Sequence, residues 1–185
     1  MNRHNCVVLM AVVGLVVGGN LSVARAGEAS DSVVDNATVA FAAAEVAVEE
    51  ARASIAKGQQ LIKQVPKGSE FEAEIKQVIM VASENWNLAV SAIGNAKESL
   101  SLLGNASDPE ITKDYALLAT VNSGLALSSA KAVQTGLLFL EAAAENKTES
   151  LNIIRGAVHD AATTVAQVQM GAERVKKQIS KKYSK

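Results

Sequence analysis

Between Ala37 and Val65 the residues Ala37, Phe41, Ala44, Val48, Ala51, Ile55, Gly58, Ile62 and Val65 follow one another at alternating steps of four and three. The same alternation runs through Ile75, Ile79, Ala82, Trp86, Ala89, Ile93, Ala96, Leu100 and Leu103. It returns in Leu151, Ile154, Val158, Ala161, Val165, Val168, Ala172, Val175 and Ile179. A repeat of this kind places every named residue on one side of an α-helix, whereas a strand returns to the same side at every second residue. Helices that each carry one apolar seam bury it against one another, which restricts the chain to a bundle or coiled coil. Composition points the same way: aromatic residues make up 3% and proline only 2 positions of the 185, so strand formers are scarce.

Three breaks divide the helical sequence. Pro66-Lys67-Gly68 reads as a turn, and Ser69 with Glu72 behind it reads as a capping box. In Gly104-Asn105-Ala106-Ser107-Asp108-Pro109, glycine suits a helix end, Asp108 an N-cap and Pro109 the first helical position. Asn146-Lys147-Thr148-Glu149 is the third break, with Thr148 as its cap. The expected helices are 33–65, 70–104, 109–145 and 149–182, each about 50 Å long at 1.5 Å per residue. The links are short, so sequential helices are expected to be antiparallel neighbours. The predicted fold is all-α: an up-down-up-down four-helix bundle with heptad, alanine-rich packing. Alanine seams allow close approach but bury little area per layer, and the length of the helices compensates.

The third helix is different. From Tyr115 to Leu140 its one charge is Lys131. A helix that is apolar all round is buried, associates with a partner or enters a membrane. Asn122, Ser123, Ser128, Ser129, Gln134 and Thr135 argue against a simple span. Its leucines Leu117, Leu127, Leu137, Leu138 and Leu140 form a candidate interaction face.

Residues 1–26 stand apart. Arg3 is followed by the uncharged run Val7 to Val17 and by Ala24-Arg25-Ala26, a small-x-small cleavage pattern. This reads as a secretory signal peptide, with 27–185 as the single mature domain, exported to a periplasm, a cell surface or the medium. The single cysteine, Cys6, lies within the leader, so the mature domain is expected to have no disulfide. Of the 18 basic residues, Arg3 and Arg25 leave with the leader, so 16 face 19 acids. The basic residues gather at the end, in Arg174, Lys176, Lys177, Lys181, Lys182 and Lys185. The acidic remainder excludes nucleic acid as a partner. The tail is expected to pair with acids at the starts of the first and third helices, with contact to an anionic membrane surface as the alternative.

The usual parts of catalysis are missing. His159 is the mature chain's only histidine and follows the seam residue Val158, so it should point outward. One histidine without cysteine does not make a zinc site, and there is no motif for haem attachment. The carboxylates Glu45, Glu49, Glu50 and Glu70, Glu72, Glu74 contain no Glu-x-x-His pair for a di-iron centre. Nucleophile motifs and phosphate-binding loops are absent too. The expectation is a protein that is not an enzyme and uses no cofactor or metal. Gly58, Gly94, Gly124, Gly136, Gly156 and Gly171 fall inside predicted helices. They provide close helix contact, or let the bundle open around a small apolar ligand. Asn36, Asn105 and Asn146 each begin a glycosylation acceptor triplet, of consequence if the source is eukaryotic.

In outline the chain resembles the exported alanine-rich helical surface proteins of trypanosomes, although their C-terminal hydrophobic anchor is replaced here by Lys181-Lys182-Tyr183-Ser184-Lys185. Ala96-Lys97-Glu98-Ser99-Leu100 resembles the repeat unit of small periplasmic metal-binding bundles of bacteria. Their ligating histidines are missing, so metal binding does not carry over. The function expected is that of a non-enzymatic exported bundle acting through a surface, by binding a protein partner, packing in a surface layer or self-associating. The alternatives are a bundle that binds an apolar small molecule and one that acts on membranes through its third helix.

Overall fold

The computed structural model describes residues 28–65, 68, 71–145 and 147–184. The leader with Cys6, the cap residue Ser69 and the acceptor Asn146 lie outside them. Among the described residues the fold is all-helical: α1 (Glu28–Ile62), α2 (Glu72–Leu103), α3 (Pro109–Ala144) and α4 (Thr148–Tyr183).

Where local chemistry is strong, the helix ends fall as the sequence predicts. Asp108 is extended, and its carboxylate accepts hydrogen bonds from the backbone N–H groups of Glu110 at 2.7 Å and Ile111 at 3.4 Å, with Pro109 following. Two other ends differ. The N-cap position of α4 is Lys147, and Thr148 is already helical. Helix α2 starts at Glu72 rather than 70, behind Phe71, whose ring is buried under the end of the bundle. Gly104 closes α2 with φ of −63°, so it does not use the left-handed freedom of glycine, whereas Gly68 does, at φ of 77°.

The arrangement departs from a square bundle. Helix α3 packs along its length against each of the other three, α1 and α2 meet only marginally, and α1 and α4 do not pack against each other. Helices α2 and α4 are tied by a bidentate pair in which the Arg155 guanidinium donates to both oxygens of Glu74 at 2.9 Å. The cause is the apolar content of α3. Helices α1, α2 and α4 have one stripe each to bury, whereas α3 buries residues as far apart around its axis as Val121, Leu125, Ala126 and Val133.

Contacts fix the alignment of the helices. Gln134 donates to Glu50 at 3.0 Å, and Lys57 pairs with Glu141, so seven residues along α1 match seven along α3. Lys182 near the end of α4 pairs with Asp114 and Glu110 near the start of α3. The starts of α1 and α3 therefore share a pole with the end of α4. Val33 and Val34 pack there on Ala37, Ala116 and Ala119, beside Leu100 and Leu103 of α2. At the other pole Phe71, Ile75, Val78, Phe139, Leu140 and Leu151 form a second core. Between them the core is largely alanine, with Ala44, Ala51, Ala89, Ala126 and Ala130 fully buried.

Two serines of α3 are anomalous. Thr120, Ser128 and Thr135 return their hydroxyls to the carbonyl four residues earlier, but the buried Oγ atoms of Ser123 and Ser129 have no hydrogen-bond partner. A buried hydroxyl left unpaired costs about 1–3 kcal/mol. Ser129→Ala is therefore expected to stabilise the fold by about 1 kcal/mol in chemical denaturation, with an unchanged denaturant slope.

Candidate functional site

The incomplete surround of α3 leaves one of its sides uncovered, between α1 and α4. Leu117, Thr120, Lys131 and Leu138 recur there at helical spacing. Leu117 and Leu138 are 42% and 51% exposed, while Thr120 and Lys131 are half-buried. Gln134 and Glu141, three positions beyond Lys131 and Leu138, are already bonded to α1, and this places the boundary of the uncovered side. The exposed Val39 of α1 and Ile153 of α4, two residues from the buried Ala37 and Leu151, lie on the sides of their helices turned away from α3.

The predicted interaction face is thereby divided. Leu117 and Leu138 belong to the open side, and Leu127 is half-buried against the central core. Leu137 is half-buried toward α1, close to Gly58. Leu140 is only 5% exposed, so it is a core residue and not part of an accessible face. Steps of three and four identify a helix side but not which side a neighbour takes, so the leucine pattern merged the open side with the buried ones.

The helical glycines also divide. A Cβ at Gly58 would stand 3.3 Å from Leu140 Cδ1, and one at Gly136 would stand 3.3 Å from Val78 Cγ1 and 3.6 Å from Ala82 Cβ. Close contact is their role. At Gly94, Gly124, Gly156 and Gly171 a Cβ would meet nothing within 4 Å. Gly124 is buried in α3, yet it has room for a Cβ. Gly124→Ala is expected to raise the unfolding free energy by about 0.4–1 kcal/mol, while Gly136→Ala gains nothing net because Val78 must move; thermal melts of the two variants read the contrast.

Charge at the shared pole is partly used. The Lys182 ammonium donates to Asp114 at 2.6 Å and lies 2.8 Å from Glu110, and the Tyr183 hydroxyl donates to Asp114 at 2.8 Å. The hydrogen bond to Asp114, then that to Glu110, holds the Lys182 pKa above the ordinary lysine value, and Asp114 also raises that of Tyr183. Both shifts are upward in the folded state, so what Lys182 and Tyr183 contribute through them is fully present at neutral pH and is lost as the pH rises into the alkaline range. The other described basic residues of the tail, Arg174, Lys176, Lys177 and Lys181, are exposed and enter no ion pair among the described residues. Among the described side chains, pairing of the tail thus reaches Glu110 and Asp114 at the start of α3 and does not reach Asp35 of α1.

A second surface feature is the open groove between α1 and α2, with a volume of about 590 Å³. Val46, Val48, Val90 and Ile93 line it, and Glu45, Glu49, Glu50 and Arg52 rim it. His159 is exposed on α4. Among the described residues no group of three or more histidine, cysteine or acidic side chains is placed to hold a metal ion. Asn105 is exposed in the turn after α2, and Asn36 is exposed too but sits two turns inside α1.

Comparison with known protein families, with characterised proteins and with solved structures finds no match to this chain.

Proposed function

We propose that this chain is an exported, non-enzymatic bundle of helices that alternate in direction, and that it acts through a surface, the open side of α3 between α1 and α4. The observation that carries this reading is the pair of exposed leucines, Leu117 and Leu138, on one side of the helix that is otherwise the most buried. Apolar surface left in water on a helix with three other faces covered favours a protein partner, because covering it gains about 25 cal/mol per Å². The parallel run of α1 and α3, with α4 returning beside α3, supports the alternation.

A photo-crosslinking residue at Leu138 tests the reading on the intact native surface. Adducts are expected at Leu138 and not at His159, which is exposed elsewhere. Equal labelling at both positions, or at neither, removes the proposal. The groove of Val46, Val48, Val90 and Ile93 supports a second reading, the binding of an apolar small molecule. Native mass spectrometry of protein from its own host checks it, and a clean apo mass across preparations eliminates it.

A further inference from the structure

We infer that the outward side of α4, near its end, is a docking strip for an anionic lipid bilayer. The inference is independent of the role proposed for α3 and rests on basic residues that the bundle leaves unused. Arg174, Lys177 and Lys181 recur at steps of three and four, so they share one side of α4. Ala172, Val175 and Ile179 are the residues that this stretch turns inward, the first two against the central core. Lys182, on that same inward side, reaches Asp114 of α3. The three bases therefore point away from α3, all of them exposed, and the exposed Lys176 adds a fourth at the edge. None of the four enters an ion pair among the described residues.

The nearby acids do not cancel this charge. Glu110 and Asp114 are taken up by Lys182, and the Asp108 carboxylate by backbone N–H groups at the start of α3. Asp35 is exposed on α1, which does not pack against α4. On α4 itself Glu173 stands beside the strip, and the next acid, Asp160, lies about four turns before Arg174. Charge alone would suit any polyanion, and Met170 selects the bilayer. It stands four residues before Arg174 on the same side of the helix and is 55% exposed. An apolar side chain gains by entering the boundary between headgroups and acyl chains, whereas a soluble polyanion offers it nothing apolar to enter. The stems of lysine and arginine lie along the same boundary while their charges reach the phosphates. From Met170 to Lys181 the strip is about 16 Å long, so one flat surface meets all four side chains at once.

Co-sedimentation of the exported protein with lipid vesicles reads the result. Binding is expected to vesicles of phosphatidylglycerol and phosphatidylcholine in equal parts, and not to phosphatidylcholine alone. Salt should weaken it, because the Debye length falls from about 30 Å at 0.01 M to about 10 Å at 0.1 M. A basic residue at an anionic leaflet strengthens binding about fivefold, so joint Arg174→Gln, Lys177→Gln and Lys181→Gln should weaken it about a hundredfold. Arg52→Gln, Lys57→Gln and Lys63→Gln together remove the same charge from α1 and its end, and should leave binding nearly unchanged. Circular dichroism of both triple variants should show unaltered helical content, since every substituted side chain is exposed. Met170→Gln should weaken vesicle binding severalfold and leave its salt dependence as it was. Equal binding to neutral vesicles, or none to anionic ones at low salt, overturns the inference. So does an equal loss in the two triple variants, which would make net charge the cause. Binding indifferent to Met170→Gln, with inorganic polyphosphate held as tightly as vesicles, overturns it in favour of a soluble polyanion.

Discussion

Replacing Phe139 by Ala is expected to remove about 3–5 kcal/mol of unfolding free energy, the largest loss of any single truncation in the chain. Its ring is 1% exposed, at the pole where α2, α3 and α4 converge. Phe71, Ile75 and Val78 pack there from the α2 side, Leu151 from α4, and Ile154 and Val158 at the margin. The chain has few large side chains, with aromatics at 3%, so no neighbour is available to fill the space the ring leaves. The loss is a large share of a total stability of about 5–15 kcal/mol. Leu138→Ala one position away removes an exposed side chain and should change stability by less than about 0.5 kcal/mol. Denaturant melts of the pair check the contrast. A loss at Phe139 no greater than at Leu138 would mean that this pole is not packed as described.

That neighbouring positions differ so sharply shows what a helical sequence encodes and what it leaves open. Seams, breaks and the exceptional third helix are local patterns, readable from spacing alone. Asp108 and Pro109 are legible because a cap needs only its own turn. Ser69 and Thr148 looked equally suitable as caps, but α2 starts behind Phe71, which the core draws inward, and α4 starts one residue early. The seam of α2 shows the limit more clearly. Large apolar residues mark it as Ile79, Trp86, Ile93 and Leu100, yet the buried row is Val78, Asn85, Ala92 and Ser99, with the larger residues half-buried beside it. Small side chains occupy the line of closest approach because α3 is itself lined with alanine, glycine and serine, and the large ones straddle it. Hydrophobicity ranks residues by what they gain from burial and is silent on how near the next backbone comes. The open side of α3 was beyond reach for a related reason. A seam tells that a helix has a neighbour, not how many neighbours it has or where they leave a gap.

Close approach makes enlargement as damaging as truncation, and Ala130→Leu is the test of that. Ala130 is fully buried in the middle of α3, within the alanine core shared with Ala44, Ala47 and Ala51 of α1 and Ala89 and Ala92 of α2. Leucine adds three carbons where interiors have no space larger than a water molecule. Helix propensity is nearly equal for the two residues, so it neither opposes nor offsets the change. The flanking helices must separate or the leucine must leave its preferred rotamer, at a cost of about 1–3 kcal/mol. Ala56→Leu on the exposed side of α1 controls for leucine itself and should be close to neutral. If Ala130→Leu proved as mild as Ala56→Leu in thermal melts, α3 would not be gripped on three sides. The uncovered fourth side would then lose its meaning as the surface proposed for this bundle.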